Sequence, residues 1–408
     1  VRVAVVGAGL AGLACARELL ATGIEVAVYE ASDGVGGRVR SDGVDGFTLD
    51  RGFQVLFTAY PAVQRRLDLN ALRLRTFPPG ARLAQDGRLH TLSDPLRDPS
   101  ALLPSLLCPL VTLPDKLRTA ALGWELKREL ESGEDLTAET YLRSKGFSEA
   151  FLESFARPFF GSIFLDRSLQ TSARALRFVW RMLVSGETAV PAAGMGALSE
   201  QLAAPLKENG CLHLSTRIAS LDELSHADAI VVATPAPEAA RLTGRPTPTG
   251  SLGVTTLYFA GDEPLFLDKK LLLSAETAPL VSHAALLTNV APEYAPPGRH
   301  LLSASVLGIP TQTDDELFRA VKDDLARLLT GEPAALKRLG GYAPLALYRI
   351  PYAQFAQPPG VVAGLPDHRT DRPGTFLCGE YTRFSGIDGA LASGESCAAA
   401  VLKAYAQV

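Results

Sequence analysis

The sequence predicts an α/β fold built around a nucleotide-binding sheet, joined to a second region of mixed sheet and helices. Three observations carry this. One end holds a strand–glycine turn–helix–strand unit, the other a glycine–acid block, and an αβ segment returns between them. Val1 to Val6 reads as a buried parallel strand, followed by Gly7, Gly9 and Gly12 in GxGxxG spacing. Leu13 to Leu20 continues a helix, and Ile24 to Tyr29 is a second strand closed by Glu30. The glycines have separate jobs: Gly7 makes the tight turn, Gly9 lets a pyrophosphate approach the backbone, and Gly12 lets helix and strand pack closely. The helix start, at Leu10 and Ala11, offers free N–H groups and the positive dipole end to phosphates. Glu30 lies 18 residues beyond Gly12, near the spacing of an acid that accepts from a ribose hydroxyl. A carboxylate there repels a 2′-phosphate, so NADP fits poorly.

That fingerprint alone leaves NAD and FAD open. Beyond it come Gly36-Gly37-Arg38 and Phe47-Thr48-Leu49-Asp50-Arg51-Gly52-Phe53. Near the other end Thr375 to Cys378 is a short apolar strand, followed by Gly379-Glu380, and Asp388 to Glu395 (DGALASGE) opens the last helix. These blocks resemble the FAD-containing superfamily of amine oxidases, protoporphyrinogen oxidases and carotenoid desaturases. The resemblance implies non-covalently bound FAD in a discontinuous Rossmann-like domain. It implies cofactor contacts from Gly7, Gly9, Leu10, Ala11, Gly12, Glu30, Ala31, Gly37, Arg38, Gly52, Phe53, Ile218, Gly379, Glu380, Ile387 and Ala390. The last helix would then aim its N-terminus at the flavin pyrimidine, where reduced flavin carries negative charge.

The expected FAD domain comprises residues 1–75, 190–245 and 365–408, and the substrate domain residues 76–189 and 246–364. In the returning block, Leu198 to Glu208 is a helix stopped by Asn209-Gly210, Leu212 to Ile218 a strand, and Ala229 to Ala233 another. The resemblance places the Ile218 backbone at the adenine. In the substrate region Arg82 to Leu92 reads as a hairpin around Asp86-Gly87. Leu136 to Phe164 is helical in pattern with Thr137 and Ser148 as N-caps. Leu252 to Ala260 and Leu301 to Val306 are strands, and Asp314 to Leu329 is an amphipathic helix.

Composition sets outer limits. The 408 residues favour two domains, and a 47% apolar fraction can fill a sizeable core. A net charge of −4 shows no basic footprint, so no nucleic-acid partner is expected. Cys15, Cys108, Cys211, Cys378 and Cys397 are scattered along the chain and read as buried, reduced thiols of an intracellular, cytoplasmic protein. The histidines show no metal-ligand spacing, so no metal is expected. No signal or transit segment is expected before the first strand. Ala101 to Leu113 (ALLPSLLCPLVTL) is too short to span a bilayer. It reads either as a buried helical connector or as a peripheral membrane patch beside a substrate entrance.

Within the superfamily, Gly386 stands where amine oxidases place an aromatic ring of the amine cage. The segment Cys378 to Leu402 and the run Gly52 to Leu67 are similar to plant-type phytoene and ζ-carotene desaturases. This implies hydride removal from a C–H (or C–N) centre of a large apolar substrate, with transfer to flavin N5 and reoxidation by dioxygen or a quinone. Amine oxidation stays open, because Tyr348 or Phe355 could rebuild the cage; Tyr258, Tyr348 and Tyr352 are candidates for the pocket wall. No general base stands out. A non-enzymatic alternative is a prenyl-binding protein like the Rab GDP-dissociation inhibitors, which share the fold without flavin; Glu30 and Glu380 argue against it.

Overall fold

The computed structural model describes residues 1–128 and 134–405. Its nucleotide-binding sheet has five strands, all parallel, in the spatial order 212–213, 25–29, 2–6, 229–232, 375–377. The central strand Arg2–Val6 therefore pairs with neighbours from the start and the middle of the chain, while the strand from the far end closes the sheet. Val3, Val5, Val26, Val28, Val231 and Phe376 bury one face against the helices Leu10–Ala21, Gly196–Glu208 and Ile387–Tyr405. Such near-continuous apolar runs are what strands covered on both faces require. The discontinuous sheet predicted from the sequence is thus present, and both glycine blocks stand on it.

The second sheet has seven strands in the order 343–355, 251–261, 300–307, 283–286, 271–274, 81–85, 88–92. Its pairings are antiparallel except between 271–274 and 81–85. One face is sealed by the helix Asp314–Leu328, whose Leu317, Val321 and Leu325 pack against Leu257, Phe259, Leu302 and Ala304. Thr313 caps that helix by accepting from Glu316 N–H while Glu316 reaches back to the Thr313 N–H, a reciprocal capping box. The predicted hairpin Arg82 to Leu92 forms, with Asp86 and Gly87 both at positive φ in the turn. Helices within residues 113–128 and 138–185 cover the remaining side around Phe151, Phe160, Leu176 and Trp180.

Three expectations need correction. The strand predicted from Leu212 to Ile218 ends at His213, because Ser215 takes φ +51° and the chain turns to bond Ser32 and Glu30 through Ser215 and Thr216 N–H. The helix expected over Leu136 to Phe164 is broken into pieces at Ala138–Ser144, Glu149–Phe151 and Arg157–Phe164, with a π turn at Leu152–Ala156. Thr137 and Ser148 do cap their helices, each accepting a backbone N–H. Pro158 has no N–H to return to the ladder, which widens into the π turn just before it. Finally, Ala101 to Leu113 is not a buried connector. Its helix Leu102–Leu107 leaves Leu103 62% and Leu107 69% exposed.

Candidate active site

The helix Leu10–Ala21 starts at Gly9, which offers no side-chain cap, and no acid stands in its first turn. Its first N–H groups therefore lack intrahelical acceptors and face the carboxyl ends of the strands. The surrounding glycines define a cradle. A Cβ at Gly12 would lie 2.1 Å from the Gly7 carbonyl oxygen, and one at Gly7, with φ +107°, would lie 2.7 Å from that of Ala233. A Cβ at Gly9 would meet nothing within 4 Å. Gly12 permits close packing, Gly7 turns the chain at positive φ against Ala233, and Gly9 leaves the space beside its backbone open. Gly37, with φ +57°, lies across from Gly9, its ideal Cβ 3.5 Å from the Gly9 Cα.

Glu30 closes the second strand with its carboxylate already oriented. Oε2 accepts from Ala8 N–H at 2.8 Å, and Oε1 accepts from Ser32 N–H and Oγ–H. Each carboxylate oxygen has two acceptor sites, so capacity remains for a ribose hydroxyl. Ala31 follows, exposed. Ile218 buries its side chain with Val6 and Leu377, beneath the same end of the sheet.

The two ends of the chain meet at Arg38. Its guanidinium donates to Glu380 Oε1 at 2.5 Å and to the Ala353 carbonyl at 2.9 Å, with the Tyr352 ring 5.3 Å away. Glu380 follows Gly379, which has no room for a side chain because its Cβ would lie 2.3 Å from the Tyr381 ring. Gly52, with φ +90°, sits under Ile350, and Phe53 N–H donates to Thr256 Oγ1 at 3.3 Å. The loop after Asp50 therefore runs from the two-stranded hairpin Ser41–Val44/Phe47–Asp50 onto the seven-stranded sheet. Ile387 and Ala390 lie in the first turn of the last helix, and Ala390 N–H bonds the Gly386 carbonyl. Asp388 in that turn points elsewhere, accepting from Ala62 N–H at 2.7 Å.

Several polar atoms in this region are buried without a partner: Thr234 Oγ1, Tyr352 Oη and Ser385 Oγ. Thr234 follows the strand Ala229–Val232, Tyr352 faces the Arg38–Glu380 pair, and Ser385 precedes the last helix. Buried polar groups left unpaired are costly. Together with the open Gly9 cradle, the oriented Glu30 and the bare helix start, they fit FAD, for which Glu30 would take the ribose, Gly9 to Gly12 and Arg38 the pyrophosphate, and Glu380 the ribityl chain.

The chain matches the family of flavin containing amine oxidoreductases over residues 10–402. It belongs to that family. Membership brings FAD as the cofactor, held without a covalent bond, and places the chain among enzymes that oxidise organic substrates. A 15-cis-phytoene desaturase of Glycine max is 24% identical across 98% of this chain and 79% of its own length. A coproporphyrinogen III oxidase of Propionibacterium freudenreichii is 30% identical over 39% of this chain, and that match spans only 31% of the relative. An oxidoreductase of Methanosarcina mazei superposes with a TM-score of 0.73 at 19% identity, covering 97% of this chain and 99% of its own.

Other groups escaped the sequence reading. Asp50 is 3% exposed, and its carboxylate accepts from Ser41 Oγ, Met195 N–H and Tyr294 Oη. Burial pushes its pKa up to about 6. Tyr258, a candidate for the pocket wall, spends its hydroxyl on the Asp50 carbonyl at 2.7 Å. The cysteines are scattered only in sequence. Cys15, Cys378 and Cys397 bring their sulfurs within 4.8 Å of one another between the first helix, the fifth strand and the last helix. All five thiols are free and buried, as expected. Nothing in the spacing of three cysteines on two remote segments signals that convergence.

Proposed function

We propose that this protein removes hydride from a C–H centre of a large, largely apolar substrate, with porphyrinogens and carotenoids as the substrate classes and dioxygen or a quinone as final acceptor. The observation that carries this is Gly386. It is exposed at φ +139°, and a Cβ there would meet nothing within 4 Å, so no ring stands at the position of an amine cage. The surroundings of the two rings that could replace it support the same reading. Phe355 is wholly buried in the nucleotide-domain core with Val6, Ile218 and Leu377, and the Tyr348 hydroxyl is tied to Asp42 at 3.1 Å. A cationic amine draws much of its binding from such faces.

Bound FAD supplies the hydride acceptor. The chain's own residues hold it by the Gly7–Gly12 turn, Glu30 and the Arg38–Glu380 pair, and bring Gly52–Phe53 between the two sheets. Access for an apolar substrate is supported by the surface formed by Leu102, Leu103, Leu106, Leu107, Leu113 and Leu117 with Trp124. Arg128 stacks 4.5 Å over the Trp124 ring, a pairing suited to a lipid headgroup boundary. Among the described residues no helix is long and apolar enough to cross a membrane, so contact there is peripheral. The test is anaerobic reduction of the bound flavin by porphyrinogens, carotenoids and primary amines in parallel. Bleaching of the flavin band by an amine alone would overturn the proposal.

A further inference from the structure

The face of the seven-stranded sheet opposite the helix Asp314–Leu328 carries one cross-strand row. Register places Tyr348, Thr256, Ser305, His283, Leu273 and Leu83 side by side in that order. Residues directly paired in a sheet point to the same face. Thr256 and Ser305 approach to 3.3 Å through their hydroxyls, and Phe53 donates its N–H to Thr256. The Phe53 ring lies 4.9 Å from the His283 ring. The far end of the row, Leu83 and Leu273, is apolar and packs with Phe155 and Phe159. The sheet face next to Gly52–Phe53 is therefore polar, and the face beyond it is not.

His283 is the anomaly in this row. It is 4% exposed, and neither ring nitrogen has a hydrogen-bond partner. Burial lowers its pKa to about 4, so at neutral pH the ring offers one N–H donor and one nitrogen acceptor. Burial is the sole cause of that shift; no charged group acts on the ring. A charged ligand group placed there would be left without a counter-ion, which burial penalises heavily. A pure hydrocarbon would leave both nitrogens unpaired.

We propose that His283 is a substrate-recognition residue that hydrogen-bonds an uncharged polar group, a hydroxyl, carbonyl or ring N–H, on an otherwise apolar substrate lying against Phe53. This rests on the proposed function and narrows it: the substrate is neither a bare hydrocarbon nor a cationic amine at this point of contact.

The experiment uses FAD-loaded protein and a matched pair of probes, farnesol and farnesene, read by perturbation of the flavin absorption band. Wild type should bind farnesol at least about tenfold more tightly than farnesene, the scale on which a built hydrogen-bonding site rejects an analogue lacking the group. H283F should erase that preference to within about twofold with FAD content unchanged, while H283Q, which keeps a donor and an acceptor, should retain most of it. Equal binding of both probes to wild type, or an undiminished preference in H283F, would overturn the inference and leave the proposed function standing. Binding of neither probe would overturn the proposed function, and this inference with it. Should H283F fail to fold, H283L carries the same comparison.

Discussion

The Arg38–Glu380 pair gives the sharpest energetic prediction, because its partners differ in burial. The Glu380 side chain is 6% exposed, whereas that of Arg38 is 32% exposed. Arg38→Met would strand a carboxylate away from water and also remove the bond to the Ala353 carbonyl. Removing one partner of a buried pair costs about 3–5 kcal/mol, and the partial exposure of Arg38 reduces this to about 2–3 kcal/mol here. Glu380→Gln leaves an amide oxygen that still accepts from Arg38, and the guanidinium can reach water, so its cost should be about 1 kcal/mol. The two variants should therefore rank unequally in urea unfolding of the apoprotein, where loss of cofactor cannot contribute. The Arg38→Met midpoint should fall clearly below that of Glu380→Gln. Equal midpoints, or the reverse order, would show that the pair is screened and the reasoning from burial wrong.

Gly12→Ala should abolish FAD retention, read as the ratio of flavin to protein absorbance, because its methyl would overlap the Gly7 carbonyl. Asp50 should make stability pH-dependent. Its folded pKa, about 6, lies above the ordinary 3.8, so the stability it contributes is present below the unfolded value and lost as pH rises through about 6. That loss is worth about 3 kcal/mol over the whole titration, of which about 2 kcal/mol falls between pH 4.5 and 7.5, so Asp50→Asn should gain on wild type by about that smaller amount over this range, measured by urea titration at each pH; an unchanged difference would contradict it. A thiol reagent should label none of the five buried cysteines in the native protein and all five in urea. Leu103→Ser with Leu107→Ser should weaken co-sedimentation with anionic vesicles severalfold and leave FAD content unchanged; undiminished binding would count against the leucine surface as a membrane contact.

Much of the nucleotide sheet was legible because each of its signals is local. The GxGxxG turn, the acid at Glu30 and the apolar strand Ala229 to Val232 are each contained within one element and its turn. What escaped depends on distant pairing. The strand Ala343–Phe355 is the longest in the molecule, yet Pro344 and Pro351 disguise it. It lies at the edge of its sheet, paired only with Ser251–Gly261, where a missing N–H can be tolerated. The Asp50 network draws on Ser41, Met195 and Tyr294, and no periodicity links those three segments. His283 is a single histidine in an apolar strand, and its lack of partners is a property of packing alone. The leucines of residues 101–113 were ambiguous because a hydrophobic run states what avoids water, not whether protein covers it.

The closure of the nucleotide domain by its last helix has a consequence for synthesis. Gly394 lets the helix Ile387–Tyr405 press onto the first helix so closely that a Cβ there would lie 2.6 Å from the Ala11 carbonyl oxygen. The partner of the first helix is thus made about 380 residues after it. At about 5–20 residues per second, the first glycine turn waits from about twenty seconds to more than a minute for it. During that interval the apolar side of the first helix lacks its cover and the Arg38 guanidinium lacks its carboxylate. Completion of the cofactor site therefore waits on a segment made long after the glycine turn, and until then the N-terminal unit carries exposed apolar surface.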